Sequence, residues 1–263
     1  MKRILITGGP TNEPVDEIMK ITNMSTGSLS LDLANRAAKN GCKVTLIITN
    51  SVTGSSRYAN YGIEENPNIK TVPIETTQDM YEALEAASKE EEGYDIIIHA
   101  SAVGDYKPQF SFRLEDMAKE LAASAVKSIG ASRQDFENTF LNIMADPGCK
   151  VNDDSKISSY EPHLTVKLTL TTKLIANLRN WFPDAFLIGC KLLENVPTEH
   201  LVEVAQKLCI KNHMDLIMAN DLAELRAGKP YRYLVNQEGY TGIILNKEGG
   251  SDLLDYAEEN WFV

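Results

Sequence analysis

Lys207 and Lys211 stand four residues apart, so a helix across them carries both ammonium groups on one face. A triphosphate, whose charge needs such partners, could be gathered there; a solvated lysine face is the commoner meaning of that spacing. Lys156, in a polar stretch, and Lys191, at the end of an apolar run, could join them at a strand-end crevice. Ser25, Thr26, Gly27 and Ser28 bring hydroxyls and free backbone N–H groups to a point where a helix is expected to open. That suits a phosphate or carboxylate, and it equally suits a plain N-cap. Asn23, just before this turn, has two amide hydrogens to donate to a carboxylate or amide. Asp105 follows the small residues Ser101, Ala102, Val103 and Gly104. It could bind a base, a ribose or magnesium, or simply close a turn.

Short apolar runs rich in β-branched residues at 3–7, 43–49 and 94–101 predict buried parallel strands. Between them, LSLDLANRAAKNG and QDMYEALEAASKEEEG place apolar residues three and four apart and end at Gly41 and Gly93, as helices do. The alternation predicts an α/β fold, a doubly wound, mostly parallel Rossmann-like sheet. Such sheets hold ligands at the carboxyl ends of their strands, so the loops after Thr7 and Ser101 matter most. Past Asp105 the pattern breaks, with helices expected over Leu114 to Ile129 and Gln134 to Met144. The polar stretch DPGCKVNDDSKISSYEPH then reads as a lid or as disorder. The second half resumes with LTVKL, an amphipathic TTKLIANLRNWF, the strand AFLIGCKLL, a helix from about Thr198 to Lys211 and the strand DLIMAND. YRYLV and TGIIL around QEGY predict a C-terminal β-hairpin, and SDLLDYAEENW a closing helix. The expected organisation is a single domain, 1–263, with 109–163 as an inserted helical and flap region.

Hydrophobic residues at 43% and charged residues at 24% give the chain enough apolar material for a core. A net charge of −11 disfavours nucleic acid and anionic membrane as partners, because both demand a basic footprint. Neither the N-terminus nor any later stretch has the apolar length of a signal peptide or a membrane span. Cys42, Cys149, Cys190 and Cys209 stand far apart with no CxxC pair, which fits reduced thiols in a cytoplasm. The first glycine loop, Gly8-Gly9-Pro10-Thr11-Asn12, is not GxGxxG and is followed by too long a loop for a dinucleotide fingerprint. A short-chain NAD(P)-dependent oxidoreductase also needs a Tyr-x-x-x-Lys pair. Here Tyr106 is followed four residues on by Phe110 and Tyr160 by Leu164, so that reading lacks its acid-base groups.

ITGGPTNEPVD, ITNMSTG, SAVGDY, SKISS, LTVKL, AFLIGCKLL, QKLCIKN and DLIMAND, in this order, resemble the phosphopantothenate-cysteine ligases. The pieces span nearly the whole chain, and the KISS and CKLL versions look most like the monofunctional bacterial branch. The resemblance implies a coenzyme A biosynthesis enzyme that activates 4'-phosphopantothenate with a nucleoside triphosphate and couples it to L-cysteine. CTP is favoured, ATP is the alternative, and Mg2+ would be held mainly by the nucleotide phosphates. A cytoplasmic homodimer is implied as well.

Carried over by motif, Asn23 binds the phosphopantothenate part and its acyl intermediate, and Ser25, Thr26, Gly27 and Ser28 shape that pocket. The backbone of His99, Ala100 and Ser101, with Asp105, holds the nucleotide. Lys156 aligns with the family's flap lysine, and Thr172, Lys173, Leu174 and Ile175 fall where the family touches its nucleotide. Cys190 replaces a phenylalanine common beside the base, and Lys207 and Lys211 match two phosphate-binding lysines. Two positions depart from the pattern: Met19 stands for a frequent arginine, and Ser28 for a frequent lysine or arginine. Those losses leave room for a second reading, a nucleotide-binding regulatory module or inactive homologue. Acid-dependent release of pyrophosphate separates the two.

Overall fold

The computed structural model describes residues 1–263 apart from 129, 152–156, 158–159, 161, 230, 246–252, 255 and 258–263, and apart from the side chains of 243–245. In chain order the elements are β1 (Arg3–Gly8), β2 (Asn12–Pro14), β3 (Lys20–Thr22), α1 (Ser28–Lys39), β4 (Lys43–Thr49), α2 (Asn50–Thr53), α3 (Ser56–Asn60), β5 (Ile69–Ile74) and α4 (Thr77–Ala87). Then come β6 (Ile96–His99), β7 (Tyr106–Arg113), α5 (Leu114–Lys127), α6 (Arg133–Ala145), β8 (Leu164–Leu170), a 3-10 turn (Leu174–Ala176) and α7 (Leu178–Trp181). The chain continues with β9 (Phe186–Leu193), α8 (Thr198–Lys211), β10 (Leu216–Asp221), α9 (Leu222–Arg226), β11 (Tyr231–Asn236) and β12 (Gly239–Leu245).

The chain divides into two compact units: residues 1–12, 23–104 and 172–263 in the first, and 13–22 with 105–171 in the second. The expected insertion at 109–163 is thus wider than its helices, because it carries its own strands and is joined by the segment after β1.

In the first unit eight strands run in the order β12-β11-β10-β9-β6-β1-β4-β5. From β5 to β10 all neighbours are parallel, and β11 and β12 add an antiparallel pair, the expected hairpin. This is the doubly wound α/β sheet that the sequence predicts. Its strands are apolar almost without interruption because both faces are covered. Ile4, Ile6, Ile96, Ile98 and Ile188 pack under α1 on one face, and Leu5, Ile47, Ile97, Leu187 and Ile217 pack under α4 and α8 on the other.

Among the elements that differ from the sequence expectation, three do so for a clear physical reason. β5 is an additional strand: Pro73 argues against it in the sequence, but β5 is the sheet edge, where proline is tolerated. LTVKL, as β8, pairs with β7 in the second unit rather than extending the large sheet. TTKLIANLRNWF is not one helix but the 3-10 turn and α7, whose Leu174, Leu178 and Phe182 reach the core. Of the expected closing helix, residues 253–254 and 256–257 are described, and they are helical.

The second unit holds the β7–β8 sheet, the α5–α6 pair and a small core of Phe110, Phe112 and Met117. Lys167 Nζ lies 4.9 Å from the Phe110 ring centre. Glu120 accepts from the N–H groups of Gly148 and Cys149 at 2.9 and 3.1 Å, fastening the chain beyond α6 to α5. Among the described residues no helix is long and apolar enough to cross a membrane.

Candidate ligand site at the carboxyl ends of the strands

The strand order reverses between β1 and β6, because the chain leaves β1 toward β4 and leaves β6 toward β9. A crevice opens outside the carboxyl ends of such strands, and ligands of doubly wound sheets bind there. Gly8 and Gly9 form its floor. A methyl group at Gly8 would fall well inside van der Waals distance of the Ser30 side chain in α1. Gly9 has φ 75°, and a Cβ there would meet Thr49 Oγ1 at 2.8 Å and Val52 at 2.9 Å. The glycines therefore let α1 approach β1 and let the chain turn out of the sheet.

Beyond the strands, the two loops zip together. Ala102 N donates to the Gly9 carbonyl at 2.9 Å, Ser101 Oγ donates to the same carbonyl at 2.7 Å, and Thr11 N donates to the Ala102 carbonyl at 3.3 Å. Thr11, fully buried, accepts from Gly104 N at 2.8 Å and from Thr77 Oγ1 at 3.1 Å. Asn23 Nδ2 donates to the Ala102 and Val103 carbonyls at 3.0 and 3.2 Å. The ITN and SAVG motifs, far apart in sequence, are thereby one structure.

His99 is buried at the end of β6, with Nδ1 2.8 Å from Thr7 Oγ1, and that hydroxyl also accepts from Ser101 N at 3.3 Å. Burial lowers the imidazole pKa to about 4, so it is neutral at physiological pH. Ala100 and Cys190 share the α1 face of the sheet, and burial pushes the Cys190 thiol up to about 12. Gly189 pairs with His99 across β6 and β9, and a Cβ on it would lie 3.2 Å from Ile175. His99, Ala100, Ser101, Cys190 and the Thr172 to Ile175 stretch all belong to the first unit, with Ala100 and Cys190 on the α1 face and Leu174 and Ile175 on the opposite face. Leu174 is core, and so it supports this wall rather than lining it.

The turn before α1 is corrected in detail. Its cap is Gly27, left-handed at φ 71°, with no side-chain cap bond. The Thr26 and Ser28 hydroxyls bond each other at 2.9 Å, and Ser25 Oγ accepts from Gly27 N at 3.4 Å. The expected hydroxyl cap is therefore a glycine cap.

Lys207 and Lys211 do share α8, but α8 returns from the carboxyl end of β9 to the amino end of β10. Lys207 is ten residues into that helix, roughly 15 Å along its axis and away from the strand ends. It also pairs with Glu203 at 2.5 Å. Lys156 lies outside the described residues. Asp105 is exposed and opens the second unit, where its carbonyl accepts from Thr171 N at 3.1 Å. Among the described residues no three His, Cys, Asp or Glu side chains gather as a metal site.

Sequence reasoning passed over two residues at this end of the sheet. Arg232 and Asn220 are buried in β11 and β10, and Arg232 Nη1 donates to Asn220 Oδ1 at 2.6 Å. The only local signal was a cation inside the apolar run YRYLV.

Comparison with known proteins bears on this arrangement. Residues 1–127 match the family described as the DNA/pantothenate metabolism flavoprotein C-terminal domain. The coenzyme A biosynthesis bifunctional protein CoaBC of Thermococcus kodakarensis is 30% identical over 84% of this chain and 41% of its own. That of Borreliella burgdorferi is 30% identical over 79% of this chain and 51% of its own. The chain thus spans about half or less of the length of these curated relatives. The crystal structure of the DNA/pantothenate metabolism flavoprotein from Streptococcus pneumoniae superposes with a TM-score of 0.76 at 29% identity, covering 99% of this chain and all of that one. The glycine loop, the ITN turn and the SAVG loop that build the crevice all fall within the 127 residues that match the DNA/pantothenate metabolism flavoprotein C-terminal domain family.

Proposed function

We propose that this protein is a phosphopantothenate-cysteine ligase of coenzyme A biosynthesis. The observation that carries the reading is the joining of the ITN turn to the SAVG loop through Asn23, at the point where the strand order reverses. A carboxylate is a poor acyl donor because its leaving group is oxide. In the reading, a carboxylate oxygen of 4'-phosphopantothenate attacks the α-phosphorus of CTP, and the bond to pyrophosphate breaks. The cysteine amine then attacks the acyl carbon and expels the nucleoside monophosphate.

The protein's part is positioning and electrostatics. The backbone of His99 to Ser101, with Cys190 and the Thr172 to Ile175 wall, receives the nucleotide. Asn23, anchored on the loop carbonyls, faces the acyl intermediate, and the Ser25 to Ser28 turn shapes the acid's pocket. Lys156 closes over the phosphates, and Asp105 contributes from its own unit. Lys207 and Lys211 stay in the reading by motif alone. Mg2+ would be held mainly by the nucleotide phosphates and would supply charge neutralisation there. A cytoplasmic homodimer completes the proposal by resemblance.

The deciding experiment is an assay with 4'-phosphopantothenate, L-cysteine, Mg2+ and either CTP or ATP. Pyrophosphate release that requires the acid, faster with CTP, is expected. Nucleotide binding with no acid-dependent release would replace the ligase by a regulatory module.

A further inference from the structure

Most buried charge in this protein is answered by hydrogen bonds. Asp221, 4% exposed, accepts from Val196 N and Glu224 N at 3.1 Å each, and backbone N–H groups hold its carboxyl below the ordinary range. Arg232, 9% exposed, is treated differently. One nitrogen is spent on the neutral Asn220 oxygen, while Nε is sealed from solvent and has no acceptor among the described residues. Among the described residues no carboxylate forms an ion pair with it. Asp32, whose charge Arg232 feels, is gripped by Arg36 Nε at 3.1 Å to each oxygen. A buried guanidinium left in this state is costly, and an apolar side chain of similar volume would serve the core at least as well.

Its place in the sheet suggests why it is there. Ala219 pairs with Tyr233 and Asn220 with Leu192, so Arg232 stands beside Asn220 at the carboxyl end of β10. It shares the α1 face with Leu234, Met218, Cys190 and Ala100, the last two of which wall the crevice. The strands from β6 to β11 span roughly 14 Å, a distance that a nucleoside triphosphate and one extended arginine can bridge. Arg232 is thus a cation at the carboxyl end of the sheet.

We infer that Arg232 is an oxyanion-binding residue of the carboxyl-end crevice, completed by a phosphate or carboxylate oxygen of the ligand, with Asn220 holding its planar fork in place. This deepens the proposed function and rests on it only for the choice of probes. A guanidinium suits either oxyanion because its parallel N–H groups match two acceptor oxygens.

The test is calorimetric titration of the full chain with inorganic pyrophosphate, CTP and 4'-phosphopantothenate, using wild type, Arg232→Met and Arg232→Lys, with the melting temperature of each ligand-free protein. Arg232→Met is expected to melt at or above the wild-type temperature yet bind at least one probe tenfold or more weakly, with Arg232→Lys losing less. Loss toward pyrophosphate and CTP identifies a polyphosphate as the oxyanion, and loss toward 4'-phosphopantothenate alone identifies the acid. Three results overturn the inference: affinities of Arg232→Met within twofold for every probe, a wild type that binds none of them, or a fall of several degrees in ligand-free melting, as a structural arginine gives. If Arg232→Met binds as wild type does while acid-dependent pyrophosphate release is intact, this inference fails and the ligase reading stands. If pyrophosphate binding needs Arg232 but no acid-dependent release exists, the reverse holds.

Discussion

Asn23 Nδ2 lies 3.0 Å from the Ala102 carbonyl oxygen, which itself accepts from Thr11 N. One peptide group therefore ties the glycine loop, the ITN turn and the SAVG loop together. Asn23→Asp replaces two N–H donors by a carboxylate facing carbonyl oxygens, and it sets like charge against an anionic acid substrate. Because Asn23 is exposed, the melting temperature should fall by no more than a few degrees. Product formation should drop by a factor of ten or more. Unchanged product formation in a coupled assay for phosphopantothenoylcysteine would remove Asn23 from the site.

Gly8→Ala tests the close approach of α1 to β1. The added methyl collides with the Ser30 side chain, whose Oγ already donates to the Gly27 carbonyl at 2.7 Å. Overpacking of this kind costs about 1–3 kcal/mol. Urea denaturation should show that loss, and Ser30→Gly in the same chain should recover part of it. A Gly8→Ala protein with the wild-type midpoint means the helix does not sit where described.

Much of the fold could be read from local pattern because the pattern and the physics coincide. The first three predicted strands are buried on both faces, so their apolar runs are unbroken. β7 escaped because YKPQFSFR, with Lys107 and Pro108, belongs to a two-stranded sheet that does not need such a run. What the motifs on loops after strands made legible was position: Asn23 and Ser101 both lie in the loops joined beyond β1 and β6. Direction was not legible: spacing puts Lys207 and Lys211 on one helix face, but only the course of the crossover from β9 to β10 says which way α8 runs along the sheet. Arg232 was missed because its meaning lies in the acceptors it lacks.

His99 makes stability depend on pH in a defined window. Its pKa is about 4 when folded, against 6.5 unperturbed, so between these values the unfolded chain binds more protons and folding weakens as pH falls. The contribution is complete above pH 6.5 and is lost on acidification toward pH 4, by about 3 kcal/mol at most. His99→Gln cannot titrate. The difference in unfolding free energy between the two proteins, followed by urea titration from pH 7 to pH 4, should change in favour of the variant as pH falls. A difference that is flat across this range means His99 is not buried as a neutral ring.

Asp16 shows how the flap segment is moored. Its Oδ1 accepts from Ile18 N and Met19 N at 2.8 and 2.6 Å, and its Oδ2 accepts from Ile157 N at 2.9 Å, one residue beyond Lys156. Ile157 is the neighbour of the lysine whose ammonium is proposed to cover the phosphates. Lys156→Gln should lower kcat tenfold or more with little change in melting temperature, because it removes charge at the phosphates and no packing. Asp16→Ala should act less severely and differently, raising KM for the nucleotide while keeping most of kcat, since the lysine itself is retained. Steady-state kinetics with CTP as the varied substrate separate the two effects. Wild-type kinetics in Lys156→Gln refute its role, and an Asp16→Ala protein with unaltered KM shows that the contact with Ile157 does not bear on nucleotide binding.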